Sequence, residues 1–470
     1  MTLIDTLKAC VGAENVLTGR DCASYRSDWT GAYVADPIAV VRPASTSEVS
    51  AVVKACAAEK TAIVPVSGNT SLNGGTFAKD AVMVSLERMN RIREIRPDAR
   101  IAVVDAGVIL SSLHDAADAH DLVFPLTFGA RGSAMIGGML STNAGGSNVL
   151  RYGNTRSLCL GLEVVLPDGE MMDLMSALHK DNSGYDLKDL MIGAEGTLGL
   201  ITGAVMKLSP KPLAYATAMV AVPKLDQALS LLNRLQTATG GAVEAFEFMP
   251  RRYIETHVEM FEKAREPFEE MHDVNILLEV GATAPRDSTP GEDGAVPIVT
   301  YLETVLGEMM EQGDVLDAVV ARSEAQRAEM WERREAAAEV CLTHKPLQNN
   351  DIAVPLDRVA PFIDEMEKRL ERIDPDAVPM IVSHLGDGNV HYALIPSSDD
   401  PALHDRLMET VEDVTLELGG SFSAEHGIGL SKKPSMARRK DPVALDVMRS
   451  IKAALDPEGI MNPGKVLPGN

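Results

Sequence analysis

Cysteine is scarce and unpatterned in this chain. The five residues, Cys10, Cys22, Cys56, Cys159 and Cys341, are odd in number and lack any C-x-x-C spacing, which argues against a disulfide framework and a cysteine-ligated metal centre. A reducing compartment suits that usage. Positive charge is also short: 44 lysines and arginines face 68 acidic residues, and the net charge of -24 disfavours nucleic acid and anionic membrane as partners. No stretch approaches the run of about 18 apolar residues that crosses a bilayer. The opening "MTLIDTLKACVG" has no basic region followed by an apolar one, so the expectation is a soluble cytoplasmic protein. No fixed-period repeat is present, which argues against a solenoid or propeller.

At 470 residues the chain exceeds what one core accommodates, and two or three domains are expected. "PIAVVRP" reads as a strand, "STSEVSAVVKACAAEK" as a Ser/Thr-capped helix with Glu48 in its first turn, and "TAIVPVS" as a second strand. From Val82 to Leu208, β-rich runs alternate with glycine turns, and Pro210 and Pro212 close the segment. A boundary is expected near Lys211. Beyond it, "AYATAMVAVP", "LDQALSLLNRLQTATGG" and "AVEAFEFMP" alternate strand, helix and strand, and "VNILLEVGA", "PIVTYLETVLGEMMEQG" and "VLDAVVA" begin a partial second copy. "ATAPRDSTPGEDGAVP" reads as an exposed loop.

Three glycine-rich elements lie in the first of these domains: "TAIVPVSGNTSLNGGT", with Gly68, Gly74 and Gly75; "RGSAMIGGMLSTNAGG"; and "IGAEGTLGLITG". Glycine permits positive φ and close approach, so such loops can turn backbone N–H groups onto an anion. Taken singly, each fits an ordinary tight turn equally well. Three together favour a ligand. None has G-x-G-x-x-G opening a helix or G-x-x-x-x-G-K-[ST], so neither a Rossmann nor a P-loop site is supported.

These loops, with "VDAGV", "IGGMLSTNAGGSNVLRYGNTR", "LGLEVVLPDG", "KDNSGYDLKDLMIGAEGTLGLIT" and the closing "NPGKVLP", resemble in order and spacing the vanillyl-alcohol-oxidase-type FAD-binding proteins. The nearest branch is that of the D-2-hydroxyacid dehydrogenases, which includes D-2-hydroxyglutarate and D-lactate dehydrogenases. The resemblance runs from about Ala39 to Leu467. It implies an α+β fold: an FAD-binding domain of two α/β subdomains over 1–210, an α+β substrate-binding cap with an antiparallel sheet over 211–420, and a segment over 421–470 returning to the FAD domain. It puts Gly68, Asn69 and Thr70 against the pyrophosphate, and Gly137, Gly138, Ser141 and Asn143 along the dinucleotide. Glu195, Gly196 and Ile201 fall near the adenosine half. The cofactor set extends to Pro65, Val66, Ser67, Ser71 and Gly145, and to Asn462 in the closing motif. Asn69 stands where members with covalent flavin often carry histidine, which implies non-covalent FAD.

"SHLGDGNVHY" holds His384 and His391 on either side of a glycine turn, and "SAEHGIG" supplies Glu425 and His426. A strand, a turn and a return strand can aim two imidazoles at one point, where a carboxylate from another loop would complete a site for zinc or manganese. Read alone, each histidine fits a hydrogen-bonded structural role better. The spacing is not H-E-x-x-H, so a metalloprotease is not indicated. The resemblance implies that His384, His391 and Glu425 are metal ligands, and that a D-2-hydroxy acid, D-2-hydroxyglutarate-like or D-lactate-like, is oxidised to the 2-oxo acid by hydride transfer to flavin N5. His426 is then the candidate general base. Asn389 is a candidate substrate contact, or a residue that steadies the turn. In "MWERREAAAEV", Trp331 and Arg334 match the family's Trp-x-x-Arg-Glu pattern, so Arg334 is the candidate for the substrate carboxylate, while a solvated helix face is the reading for Arg333. Two departures weaken the case for a dicarboxylate: Asn349 stands where D-2-hydroxyglutarate members carry lysine, and Ala338 where they carry threonine. Lys345 is the candidate replacement. The electron acceptor would be an electron-transfer flavoprotein, a cytochrome or a quinone, and a homodimer is allowed. The rival readings are a non-catalytic electron-transfer flavoprotein subunit, a dehydrogenase for glycolate or another 2-hydroxy acid, and a metal hydrolase, which the glycine loops disfavour.

Overall fold

Three apolar runs, Ala39–Val41, Ala62–Val66 and Ala81–Ser85, pair in parallel, as largely buried strands rich in valine do when a helix links them. That helix is Thr46–Ala58. Ser45 caps it by accepting from the Glu48 N–H, and Val49, Val52, Val53 and Cys56 form its buried stripe. Val16–Leu17 completes a four-stranded sheet. A second, antiparallel sheet carries Ile92–Arg96, Ile101–Asp105, Leu200–Lys207, Cys159–Val165 and Met171–Leu174, in that spatial order. The far end of the chain returns beside the first sheet: the Ile63 N–H donates to the Ile460 carbonyl at 2.7 Å, and the Asn462 N–H to the Ile63 carbonyl at 2.7 Å.

The computed structural model describes residues 1–469, and of Leu342 the backbone alone. These elements belong to one unit, made of Met1–Gly145, Gly153–Pro210 and the chain from Glu425 onward. A second unit is made of Gly146–Tyr152 and Lys211–Ala424. The short 146–152 segment lies outside the 211–420 span expected for the cap. It is held within the second unit because Asn148, Arg151 and Tyr152 all hydrogen-bond the Glu244 carboxylate.

The second unit is built on a seven-stranded antiparallel sheet. Its spatial order is Asp317–Val320, Ala214–Ala221, Val274–Ala282, Val243–Pro250, Val378–His384, Asn389–Ile395 and Gln348–Ala353. Side chains alternate between its faces. On one face Phe246, Ile276, Leu278, Val390 and Tyr392 meet the helices Leu225–Thr239, Pro297–Gln312, Val359–Ile373 and Pro401–Glu417. On the other, Met219, Leu277, Met380 and Val382 meet Arg251–Met260 and Glu324–Glu335. This second face also carries buried polar residues, among them Glu279, Glu247, His384 and Asp351. Their place on it follows from register: Glu247 lies opposite His384, Val382 opposite His391, and Asp351 opposite His391.

Candidate functional site

In the first unit the three glycine loops meet at the end of the Ala62–Val66 strand, the end of an α/β strand where ligands bind. A Cβ at Gly196 would come within 2.7 Å of the Pro65 ring, and one at Gly138 within 3.2 Å of Ser67 Cβ, so the second and third loops press on the residues leading into the first. Glycine is required by that approach. Asn69 (φ +52°) is held by donating to the Ser27 carbonyl and accepting from Thr76 Oγ1. Ser141 Oγ donates to the Gly137 carbonyl at 2.7 Å, and Asn143 (φ +52°) accepts from the Arg156 N–H. Asn462 joins the first and third loops by donating to the carbonyls of Gly75 and Glu195. Its Oδ1 is buried and has no partner among the described residues. An unmet buried acceptor costs about 1–3 kcal/mol unless a ligand supplies the donor, which fits a bound nucleotide.

The loop holding Glu425 and His426 is fixed by two residues of the same unit. Asn73 Nδ2 donates to the carbonyls of His426 (2.9 Å) and Gly427 (2.7 Å). Glu195 accepts from the N–H groups of Ile428 (2.7 Å) and Gly429 (2.8 Å). The Glu195 carboxylate is thus directed at the loop backbone. Burial pushes its pKa up, and the two N–H donors pull it back.

In the second unit the opening strand of the hairpin ends at His384, the turn is Leu385 to Gly388, and the return strand starts at Asn389, opposite His384. His391 is two residues further along and therefore shares the face of His384. The imidazole centroids lie 5.3 Å apart with planes inclined at 77°. His384 Nδ1 is 2.9 Å from the fully buried Glu247 carboxylate, which also accepts from Arg334 Nε at 2.7 Å. Burial alone would raise the Glu247 pKa. The charges of His384 and Arg334 outweigh it and hold the carboxyl below its ordinary value. Arg334 comes from Glu324–Glu335, whose Arg327, Trp331 and Arg334 lie on one helix face. Arg327 and Trp331 both donate to Glu279, as does Thr217.

Asn389 donates to Asp351 Oδ1 and to the Ile352 carbonyl, both at 2.9 Å, so its amide nitrogen steadies the hairpin. Its buried Oδ1 has no partner among the described residues. Arg333 departs from the solvated reading. It is 4% exposed, because Tyr253 holds its carbonyl and its Nη2 donates to the Arg265 carbonyl. Lys345 and Asn349 are exposed, the latter on the edge strand. Sequence reasoning did not single out Glu247, Glu279 or Asn73. A usable signal for the first two was a glutamate inside an apolar strand, Glu279 alone in its strand and Glu247 three residues after Glu244, since such a carboxylate needs a buried partner.

Residues 211–466 match the family described as FAD linked oxidases, C-terminal domain, and residues 37–175 match the FAD binding domain. A D-2-hydroxyglutarate dehydrogenase of Xanthomonas citri pv. viticola is 36% identical over 452 residues, covering 95% of this chain and 92% of that protein. Another of that name from Stutzerimonas stutzeri is 34% identical, covering 99% of this chain and 98% of its own. Among solved structures, p-cresol methylhydroxylase with substrate bound superposes with a TM-score of 0.72 at 16% identity, over 98% of this chain and 96% of that one, which shows a shared vanillyl-alcohol-oxidase-type fold. The chain belongs to the FAD-linked oxidases, and it is an FAD-dependent dehydrogenase. No helix among the described residues is long and apolar enough to cross a membrane.

Proposed function

We propose that the chain oxidises a D-2-hydroxy acid to its 2-oxo acid, with a D-2-hydroxyglutarate-like or a D-lactate-like substrate. The observation that carries this reading is the gathering of His384 and Arg334 on Glu247, with His391 on the same sheet face. Arg334 has a guanidinium edge beyond Nε for the substrate's α-carboxylate, in the two-pronged manner that carboxylates favour. Asn389 Oδ1 accepts a hydrogen bond from the substrate.

His384, His391 and Glu425 are assigned to one divalent ion, zinc or manganese. Imidazole nitrogens with a carboxylate oxygen suit either. Chain connectivity supports including Glu425. The Ala424 N–H donates to the Asp351 carbonyl, opposite His391, and Glu425 is the next residue. When bound, the ion would polarise the C2 hydroxyl and lower its pKa, and FAD would accept the hydride from C2 at N5. His426, its backbone held by Asn73, accepts the hydroxyl proton. For a dicarboxylate the second carboxyl is assigned to Lys345, with Asn349 on the neighbouring edge strand. Electrons leave to an electron-transfer flavoprotein, a cytochrome or a quinone. The cytoplasm suits the free cysteines. Anaerobic mixing with D- and L-2-hydroxy acids tests the reading. Bleaching of the flavin by D-acids alone is expected, and a flavin that no 2-hydroxy acid reduces refutes it in favour of an electron-transfer subunit.

A further inference from the structure

We infer that Glu279 is a positioning residue: together with Glu247 it fixes the seat of the Glu324–Glu335 helix on the sheet, and so sets where Arg334 stands. The inference rests on the proposed role of Arg334 in holding the substrate's α-carboxylate. Met330 is the one buried apolar residue of this helix, beside Arg333 and Arg334, so no broad apolar stripe fixes its place. Hydrogen bonds to two buried carboxylates do so instead. Glu279 accepts from Arg327 Nε (2.7 Å) and Nη2 (2.9 Å) and from Trp331 Nε1 (2.9 Å), while Glu247 accepts from Arg334 Nε (2.7 Å).

The spacing of the two grips agrees between sheet and helix. Ala245 faces Glu279 and Glu247 faces Leu277, so the two carboxylates share one sheet face as diagonal neighbours, about 7–8 Å apart. Along the helix, the midpoint between Arg327 and Trp331 precedes Arg334 by a rise of about 7.5 Å. A slip of one residue would turn the row by about 100° and break both grips at once. Glu279 is itself held in line. Thr217, opposite it on the neighbouring strand, donates to Oε2 at 2.6 Å, and Tyr215 of that strand carries the Arg327 guanidinium 4.2 Å from its ring centroid. Without the Glu279 grip the helix keeps a single pivot at Arg334. The guanidinium then turns about its bond to Glu247, one prong of the two-pronged contact is lost, and every 2-hydroxy acid binds about tenfold more weakly.

Steady-state turnover of the FAD-loaded protein tests this, with D-2-hydroxyglutarate or D-lactate, whichever bleaches the flavin, an artificial dye as electron acceptor, and thermal melting alongside. Glu279→Gln should raise KM about tenfold and lower kcat far less, because the α-carboxylate contact is made in the ground state and the transition state alike. Because that change leaves Arg327 against an amide, the double variant Glu279→Gln/Arg327→Met removes the pair together. It should melt near wild type while KM stays raised. A KM that returns to the wild-type value with the melting temperature makes Glu279 a stabilising residue only and overturns the inference. Arg334→Lys separates the two claims. A raised KM there, beside a wild-type KM in the double variant, overturns the positioning role alone. A wild-type KM in Arg334→Lys overturns the carboxylate reading and the positioning role with it.

Discussion

Replacing Gly388 by alanine should damage the histidine hairpin far more than replacing Gly386, two residues away in the same turn. Gly388 sits at φ +83°, where a side chain costs about 1–2 kcal/mol. A Cβ there would also run into the Val354 carbonyl, a backbone atom fixed by the bond that the Val354 N–H donates to the Gly388 carbonyl at 3.0 Å. Relief requires backbone movement, at about 1–3 kcal/mol more. Gly386 has no positive φ, and its added methyl would meet the Leu150 side chain, which can swing aside. A cost of about 3 kcal/mol for Gly388→Ala corresponds to about 6–12 °C in the melting of a unit this size, against a degree or two for Gly386→Ala. Thermal unfolding of the FAD-loaded proteins measures the difference, and hydrogen exchange across 382–392 localises it. Equal melting temperatures and equal exchange for the two variants would refute the reasoning.

Glu195→Gln should place an NH₂ against one of the two loop N–H donors. Exchange at Ile428 and Gly429 should then quicken by about tenfold or more while the 274–282 strand is unchanged, and unaltered exchange at the loop would count against the clamp. Arg334→Ala should destabilise the second unit by about 3–5 kcal/mol by leaving the buried Glu247 carboxylate without its guanidinium partner, and should impair every 2-hydroxy acid. Arg334→Met/Glu247→Gln should recover the stability without the turnover, and recovery of both in a melting and turnover assay would remove Arg334 from substrate binding. Burial lowers the Lys465 pKa from 10.5 to about 8. The unfolded chain therefore binds more protons between those values, and stability relative to Lys465→Met should rise from pH 8 to 10.5 by up to about 3 kcal/mol, with no such slope below pH 8. Parallel denaturant titrations across that range would expose a flat difference, which would contradict it.

What the sequence disclosed was what is periodic or contiguous. The capped helix Thr46–Ala58 and the strands Val243–Pro250 and Val274–Ala282 follow from local pattern. So does the facing of His384 and His391, which needs only a turn and an even offset. The pairings that organise the site are different in kind. Glu247 meets Arg334 87 residues later, and Asn73 reaches the His426 carbonyl 353 residues away. No local rule encodes such partners. Arg333 was misread for the same reason: adjacent to Arg334 on a charged helix, it differs only in that Tyr253 and Arg265 come from elsewhere to cover it.

The return of the chain end to the first strand bears on the order of synthesis. Ile460 and Asn462 bracket Ile63, and Asn462 ties two of the nucleotide loops, so the first unit lacks part of its cradle until its final stretch has been made. The ribosome must first make the 211–424 segment, about 10–40 s at 5–20 residues per second. The later-made unit, nearly continuous in sequence, can complete its sheet before the earlier one can close. A nascent chain stopped short of Asn462 would then have a finished second unit and an open nucleotide cradle.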